Sequence, residues 1–292
     1  MERSDDAPAL APEPQRLVAA DAAGSLALSA AAGWNQTADD WSLFIERGHA
    51  FGWREAAGRL VATAAALPYG GGQGWISMVL VAPAHRHHGL ATQLMARCVE
   101  ALQRDGIRPV LDATPAGAPV YRRIGFEPGF ELERWEGKGG LRDEDASVDP
   151  EAATPRPAGL RNADAITRLD AVSTGLGRGW LLQAFLSRPT TRAWLSRAGD
   201  GFVIARAGHR ATQVGPLVAP DETRALALLR AALAAVSGPA FLDVPVRWTA
   251  IADGLDRCGF RRQRPFVRMA LGQAQTLAVP PHLFVLAGPE FG

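Results

Sequence analysis

The amino-acid sequence predicts an α/β protein in which one mixed unit of strands and helices occurs twice. The chain has 292 residues, which is roughly twice the length of an ordinary domain. Short apolar stretches typical of buried strands alternate with amphipathic helical stretches, and this predicts sheets flanked by helices. Short anchors also recur in the same order in the two halves.

The recurring anchors indicate an internal duplication. They keep their order and a nearly constant separation along the chain, which is the mark of a repeated structural unit. The matched pairs are Leu80-Val81-Ala82-Pro83 with Leu217-Val218-Ala219-Pro220, Leu111-Asp112 with Leu242-Asp243, and Gly125-Phe126 with Gly259-Phe260. We call the two halves the first copy and the second copy.

The first copy begins with two helices and three strands. A loop containing Gly33 separates the helices, and the third strand carries Val, Leu, Ile and Met on both faces, as a buried central strand does. The expected ranges are helices over 20–32 and 39–46 and strands over 49–53, 59–67 and 74–81.

A helix, a strand and a second helix complete the first copy. The helix is expected over 89–105 because Leu90, Leu94, Cys98 and Leu102 form one apolar stripe. A strand over 109–113 and a helix over 118–124 follow, with Gly125 as the helix cap. The second copy repeats the pattern over 201–271, after helices near 162–173 and 179–186.

Composition predicts the domain boundaries. Residues 1–14 are acidic and rich in proline, which predicts a flexible tail, and residues 137–157 are polar and rich in Gly and Pro, which predicts a linker. The first domain is therefore expected over 15–136 and the second over 158–292.

The charge balance excludes several classes of partner. Thirty-one basic and 30 acidic side chains give a net charge of +1 with no like-charged stripe, so neither nucleic acid nor a membrane surface is expected as a partner. The N-terminus has no apolar stretch of a signal peptide. With Cys98 and Cys258 read as buried thiols in a reducing compartment, we expect a soluble, cytoplasmic protein.

The stretch that carries chemistry joins the buried strand to a turn and a helix. The turn reads Arg86-His87-His88-Gly89-Leu90-Ala91, and the backbone N–H groups of a helix N-terminus form an anion site that the helix dipole reinforces. Arg86 adds charge at the rim. Such a turn suits a pyrophosphate, although a glycine before a helix is by itself a weak signal.

These parts together resemble the Gcn5-related N-acetyltransferases, the GNAT superfamily. The resemblance rests on the strand, the Arg-x-x-Gly-x-Ala turn, the helix, the strand through Val110 to Thr114, and the helix ending Val120-Tyr121-Arg122-Arg123-Ile124-Gly125-Phe126. It covers nearly all of the first copy. The second copy resembles the degenerate second domain of a bacterial tandem subfamily. The implied fold is two tandem GNAT-like domains, each a twisted mixed sheet flanked by helices.

The resemblance implies acetyl-CoA (coenzyme A) as the cofactor. Backbone groups of the central strand would pair with the pantetheine arm beside a β-bulge, one N–H would stabilise the oxyanion, and the turn would bind the pyrophosphate. Thr114 stands where the family often has Asn, a polar contact to the cofactor, and the sequence departs from the family pattern there. The implied cofactor-binding residues are Val79, Leu80, Val81, Arg86, His87, His88, Gly89, Leu90, Ala91, Thr92 and Thr114.

Tyr121 stands where the family often places its general acid. A phenol can donate a proton to a leaving thiolate at close range. The alternative is a core tyrosine, and Tyr69 is the other tyrosine of the chain.

The acceptor pocket is expected to involve Trp34, Asn35 and Asp112. The two former lie in the loop that covers the acceptor side in the family, whereas Asp112 has a counterpart in Asp243 and a structural role is equally open. No metal site is expected, because the neighbouring His85, His87 and His88 point apart on a turn and are read as solvated.

The second copy departs from the cofactor pattern. Asp221 and Glu222 follow its matched strand in place of the glycine turn, and two carboxylates would repel a pyrophosphate. We expect this copy not to bind CoA, and to support the first domain, wall the acceptor pocket or make a dimer contact.

The predicted function is transfer of an acetyl group from acetyl-CoA to a primary amine, by direct attack in a ternary complex. The acceptor is a small-molecule or protein amine, and a homodimer is possible. The alternative is a non-catalytic acyl-CoA-binding sensor or scaffold in which the second domain mediates protein contacts.

Overall fold

The computed structural model describes residue 11 and residues 13–140, 154–272 and 277–292. They group into two compact units. The N-terminal unit lies within Met1–Pro68 and Gln73–Pro109, and the C-terminal unit comprises Tyr69–Gly72 and Val110–Gly292. Both contain a sheet flanked by helices, which confirms the predicted α/β class. Within the described ranges, every helix is too short or too polar to cross a bilayer.

The N-terminal unit is an antiparallel sheet with three helices. Its strands follow the order β1-β2-β3-β4, and the predicted elements are present with boundaries shifted by at most two residues. The buried residues of α3 are the predicted stripe together with Met95 and Ala101. The elements are β1 Gln15–Arg16, α1 Ala22–Ala31, α2 Ala38–Arg47, β2 His49–Arg54, β3 Leu60–Pro68, β4 Gln73–Val81 and α3 Leu90–Arg104.

The C-terminal unit begins within β5 (Arg108–Ala113), from Val110 onward. Its sheet has the order β5-β12-β6-β11-β10-β9-β8-β7, with β13 beside β10, and it is mixed because β10 and β11 run parallel. The remaining elements are α4 Ala118–Arg123, β6 Phe126–Lys138, β7 Arg156–Ala158, α5 Ala163–Thr174, α6 Gly179–Leu186, β8 Arg192–Leu195, β9 Phe202–Arg206, β10 Thr212–Val218, α7 Glu222–Ala235, β11 Pro239–Pro245, α8 Thr249–Arg257, β12 Arg261–Leu271 and β13 Leu283–Val285.

The two copies exchange their last long strands within this sheet. β6 follows the Gly125-Phe126 anchor and β12 follows the matching Gly259-Phe260 anchor, so the two strands are counterparts. β12, from the second copy, pairs with β5 of the first, and β6, from the first copy, pairs with β11 of the second. β6 and β12 also pair with each other.

This exchange explains why the compact units differ from the predicted domain ranges. Residues 110–136, which composition assigned to the first domain, lie in the C-terminal unit because β6 pairs with β11 and β12 along its length. Gly137 and Lys138, assigned to the linker, extend β6. Most of the predicted tail, and residues 141–153 of the predicted linker, lie outside the described residues.

Two reciprocal ion pairs tie the exchanged strands to their neighbours. Arg134 on β6 donates from Nε and Nη2 to the two carboxylate oxygens of Asp243 on β11, at 2.9 Å each. Arg268 on β12 makes the same paired contact with Asp112 on β5, also at 2.9 Å. At most 6% of any of these four side chains is exposed. Paired contacts of this kind fix both distance and orientation.

Replacing Arg134 with methionine leaves Asp243 buried without its cation. We expect Arg134→Met to lower the free energy of unfolding by about 3–5 kcal/mol, measured by denaturant titration. The matched control is Arg262→Met, because Arg262 lies on β12 with 61% of its side chain exposed and pairs with Glu133 at 2.9 Å. Such an exposed pair contributes about 0–1 kcal/mol. Equal losses in the two variants would contradict the structural role of the buried pair.

Candidate functional site

The central strand β4 carries a β-bulge. Ala65 pairs with Ser77 and Thr63 pairs with Leu80, so Met78 and Val79 together stand opposite the single residue between those partners. Met78 has φ of 55°, in the left-handed region that residues other than glycine rarely adopt. The Thr63 hydroxyl donates a hydrogen bond to the Met78 carbonyl at 2.9 Å and supports the bulge. A bulge bends its strand and redirects the backbone that follows.

The predicted pantetheine-binding residues are Val79, which is part of this bulge, and Leu80 and Val81, which follow it. Leu80 is 8% exposed, whereas Val79 and Val81 are partly exposed. The Leu80 side chain is therefore part of the core, and this segment has only backbone groups and two valine side chains to offer a ligand.

The turn after β4 ends in an uncapped helix N-terminus. His87 has φ of 68° and Gly89 has φ of 74°, and no side chain caps α3 at Gly89. The first helical hydrogen bond runs from Gln93 N–H to the Gly89 carbonyl. The N–H groups of the first helical turn therefore have no acceptor within the helix, which is the arrangement that binds anions.

The side chains of this turn are solvent-accessible. Arg86, His87, His88 and Gly89 are exposed, and the Arg86 Nε donates to the Val81 carbonyl at 3.3 Å, so its guanidinium stands at the end of β4. A Cβ atom on Gly89 would meet no other atom within 4 Å. Glycine is required there by the backbone conformation and not by lack of space. Leu90 is buried, and only its backbone can contact a ligand.

The expectation that His85 is solvated is wrong. His85 is 3% exposed, and its Nε2 lies 3.2 Å from Oε1 of Glu55, which is 7% exposed. Arg59 also donates to Glu55 and lowers the pKa of that carboxyl group. In the described ranges, no three His, Cys, Asp or Glu side chains are grouped to hold a metal ion.

The loop between α1 and α2 contains the predicted acceptor residues Trp34 and Asn35. Trp34 is partly exposed and Asn35 is 6% exposed. Thr37 caps α2 and exchanges hydrogen bonds with Asp40: the Asp40 N–H donates to the Thr37 hydroxyl at 3.3 Å, and the Thr37 N–H donates to the Asp40 carboxylate at 2.9 Å. Gln36 is also 6% exposed, and its Oε1 is buried with no hydrogen-bond partner among the described residues. Gln36 is therefore a candidate contact for a ligand, and the sequence alone did not show that its side chain is buried.

Asp112, Thr114 and Tyr121 lie in the C-terminal unit. Asp112 does not have a free carboxylate for an acceptor, because both oxygens bind Arg268; burial raises its pKa and Arg268 opposes that shift. The Thr114 hydroxyl accepts a hydrogen bond from Gly117 N–H at 3.2 Å and helps to start α4. Tyr121 is partly exposed on α4, and its ring centroid is 6.2 Å from that of Phe126.

Tyr69 is a poor candidate for a proton donor. It is 2% exposed, its hydroxyl donates to the Phe291 carbonyl at 3.0 Å, and burial raises its pKa. The roles predicted for Tyr121 and Thr114 stay predictions.

In the second copy, β13 lies where the first copy is predicted to bind pantetheine. β10 pairs with β11 at Thr212 and Gln213, and its register with β9 then shifts between Val214 and Leu217. Beyond that shift, Leu217 and Val218 pair with β13. These two residues match Leu80 and Val81 of the first copy. Leu286 N–H donates to the Asp243 carbonyl on β11 at 2.9 Å, so the segment contacts both strands.

The start of α7 also differs from the start of α3. Asp221 caps α7 by accepting a hydrogen bond from Arg224 N–H at 2.8 Å, and the Arg224 guanidinium pairs with the same carboxylate. These contacts lower the pKa of Asp221, the backbone hydrogen bond most of all. The helix N-terminus in the second copy therefore already has an anion, supplied by its own chain.

Comparison with known families gives the same match for both copies. The model described as "Acetyltransferase (GNAT) family" matches residues 25–126, and the model described as "Acetyltransferase (GNAT) domain" matches residues 166–284. The chain is a tandem member of the GNAT family. Among curated proteins, this tandem GNAT chain is 24% identical over 245 residues to the uncharacterized N-acetyltransferase YitH of Bacillus subtilis (strain 168), covering 82% of the chain and 84% of YitH.

Solved structures share the tandem GNAT fold. A candidate acetyltransferase from Pyrococcus horikoshii superposes with a TM-score of 0.79 at 16% identity, covering 100% of this chain and 99% of that one. A tandem GNAT protein from the clavulanic acid biosynthesis pathway has a TM-score of 0.64 at 18% identity, with 89% and 98% covered. The family matches and the curated relative support N-acetyltransferase activity in general.

Proposed function

We propose that this tandem GNAT chain transfers an acetyl group from acetyl-CoA to a primary amine, on a small molecule or a protein, within one ternary complex. The observation that carries the proposal is the bulged strand β4 leading into the uncapped N-terminus of α3. Both features lie in the N-terminal unit, next to each other in sequence. The extended pantetheine arm of CoA would lie along the strand, and the pyrophosphate of CoA would lie at the helix N-terminus.

The fit to CoA follows from the chemistry of the two features. The N–H groups from His87 to Thr92 surround a helix N-terminus without a side-chain cap, which suits a pyrophosphate, and Arg86 adds a positive charge at the rim. Backbone groups of Val79, Leu80 and Val81 would pair with the amides of the pantetheine arm as a neighbouring strand does.

The acyl transfer itself requires few groups from the chain. Acetyl-CoA supplies the activated thioester when bound. The amine nitrogen would form the new amide bond as the carbon–sulfur bond breaks. A backbone N–H beside the bulge would stabilise negative charge on the thioester oxygen, and Tyr121 would donate a proton to the departing thiolate. The amine would release its own proton to water, and solvent would reprotonate Tyr121. Cys98 is an unsuitable nucleophile because it is fully buried, and burial raises the pKa of its thiol. We therefore propose that the amine attacks the thioester directly, without transfer of the acetyl group to Cys98.

The acceptor amine has a candidate contact in the α1–α2 loop. The buried Gln36 Oε1 has no hydrogen-bond partner within the described ranges, and it can accept a hydrogen bond from an N–H group. A buried acceptor without a partner costs stability, so a ligand that donates to it gains binding free energy.

We further propose that the chain binds one acetyl-CoA, through the first copy alone. In the second copy, β13 pairs with the strand segment that matches the pantetheine-binding residues, and Asp221 occupies the helix N-terminus. A second cofactor would have to displace both contacts.

Calorimetric titration of acetyl-CoA tests the cofactor site. We expect one molecule bound per chain, and we expect Gly89→Val to weaken binding about tenfold or more, since a β-branched residue disfavours φ of 74°. The matched control is Gly106→Val, at the other end of α3, where φ is 67° and a Cβ atom likewise meets nothing within 4 Å. This control should lose stability to a similar degree and keep its affinity.

Two results of this titration would be decisive against the proposal. Two molecules bound per chain would contradict the occupied second copy. The absence of binding in the folded wild-type protein would contradict the cofactor assignment as a whole.

Replacement of Tyr121 separates the enzyme from an acyl-CoA sensor. With an amine acceptor found by screening, Tyr121→Phe should lower kcat by about 10²–10⁴-fold and leave the affinity for acetyl-CoA unchanged, because only the proton donor is lost. Tyr69→Phe is the control and should keep kcat. A kcat that survives in Tyr121→Phe would refute the general-acid role. Tight acetyl-CoA binding with no turnover on any amine class would favour the non-catalytic sensor.

A further inference from the structure

Two arginines stand directly opposite each other in the C-terminal unit. In the register between β12 and β6, Arg264 is the partner of Arg134. Like charges on directly opposed residues of neighbouring strands destabilise the pair unless a counter-charge lies between them. The arrangement therefore calls for an anion near both guanidinium groups.

The Asp243 carboxylate already has three hydrogen-bond donors. It accepts two hydrogen bonds from Arg134 and a third from Gln213 Nε2 at 2.9 Å, and its side chain is fully buried. The charges of Asp243 and Glu290 also attract Arg264, but Glu290 is paired with Arg206 at 3.0 Å. Arg264 makes no ion pair with Asp243.

Arg264 has an unused donor. Its Nε is buried and has no hydrogen-bond partner among the described residues, and its guanidinium carbon lies 4.9 Å from the centroid of the Phe266 ring. The residue as a whole is partly exposed, so another part of its side chain reaches solvent. Burial lowers the pKa of Arg264, the positive charges of Arg134 and Arg210 lower it further, and the negative charges of Asp243 and Glu290 oppose the shift.

Two aromatic rings line the same place. Phe241 is 5% exposed and Phe266 is 4% exposed. The Arg134 guanidinium lies over both rings, at 5.2 and 5.7 Å, and the Arg210 guanidinium lies 5.9 Å from the Phe241 ring. The guanidinium groups of Arg134, Arg210 and Arg264 therefore lie next to two buried aromatic rings.

We propose that this cluster, formed by Arg134, Arg210, Arg264, Phe241 and Phe266, binds a small molecule through an oxyanion group, a carboxylate or a phosphate. The solvent-exposed parts of Arg210 and Arg264 donate to the oxyanion, and Arg134 adds positive charge to the cluster. The site gives the C-terminal unit a binding function of its own. It does not rest on the proposed acetyl transfer, because every residue in it lies in the C-terminal unit and none belongs to the cofactor turn.

Calorimetry on the full chain with inorganic phosphate and with succinate as separate probes tests the site in a buffer of low ionic strength. We expect one of the two probes to bind, and the one that binds identifies the oxyanion. Arg264→Gln should weaken that binding about tenfold or more, the loss expected for a charged hydrogen bond. Arg262→Gln, two positions along β12, is the control and should bind as the wild type does.

A stability measurement without any added anion protects the test from a folding artefact. If Arg264 serves to bind a ligand, Arg264→Gln should leave Tm unchanged or raise it, because the substitution removes the repulsion between Arg264 and Arg134. A Tm several degrees lower would show that Arg264 is structural and would overturn the proposal. So would the failure of both probes to bind the wild-type chain, or equal weakening of binding in the Arg262 and Arg264 variants.

Discussion

A bulge in β4 interrupts its pairing with β3, and the candidate cofactor site depends on that interruption. Met78 adopts a left-handed backbone and the Thr63 hydroxyl holds its carbonyl, so Val79, Leu80 and Val81 follow a redirected path toward the turn before α3. The second copy has a register shift at the corresponding place in β10, but there β13 pairs with the redirected segment. The bulge in β4 and the register shift in β10 therefore precede different pairings. The segment after the β4 bulge is proposed to pair with a ligand, whereas the segment after the β10 shift pairs with β13.

The helix that follows each of these strands shows the same difference. α3 starts at Gly89 without a side-chain cap, whereas α7 starts at Asp221, whose carboxylate satisfies the first turn. The second copy also contributes to the architecture of the sheet. Its long strand β12 lies between β5 and β6, and the Arg134–Asp243 and Arg268–Asp112 pairs fix the exchange.

Local features were predictable from the sequence and non-local ones were not. The turn around Gly89, the helices and the strands of the first copy follow from residue spacing and backbone preference. The sequence placed Asp112 in the acceptor pocket and left a structural role equally open because Asp243 repeats it, but it did not identify the partner Arg268, which lies far away in sequence. The strand exchange, the Thr63–Met78 contact and the position of β13 all depend on pairing between distant segments. Arg134 and Arg268 stand at matching positions of the two copies, but their pairing with Asp243 and Asp112 of the other copy is visible only in the structure.

Hydrogen–deuterium exchange of the full chain, with and without acetyl-CoA, tests most directly whether the two copies have different roles. We expect slower exchange of the backbone N–H groups from Val79 to Thr92 when acetyl-CoA is present, because these groups would bind its pantetheine and pyrophosphate. We expect no change from Leu217 to Ala225, where β13 and Asp221 already pair with the backbone. Protection of 217–225 by acetyl-CoA, or no protection of 79–92, would contradict this difference between the two copies.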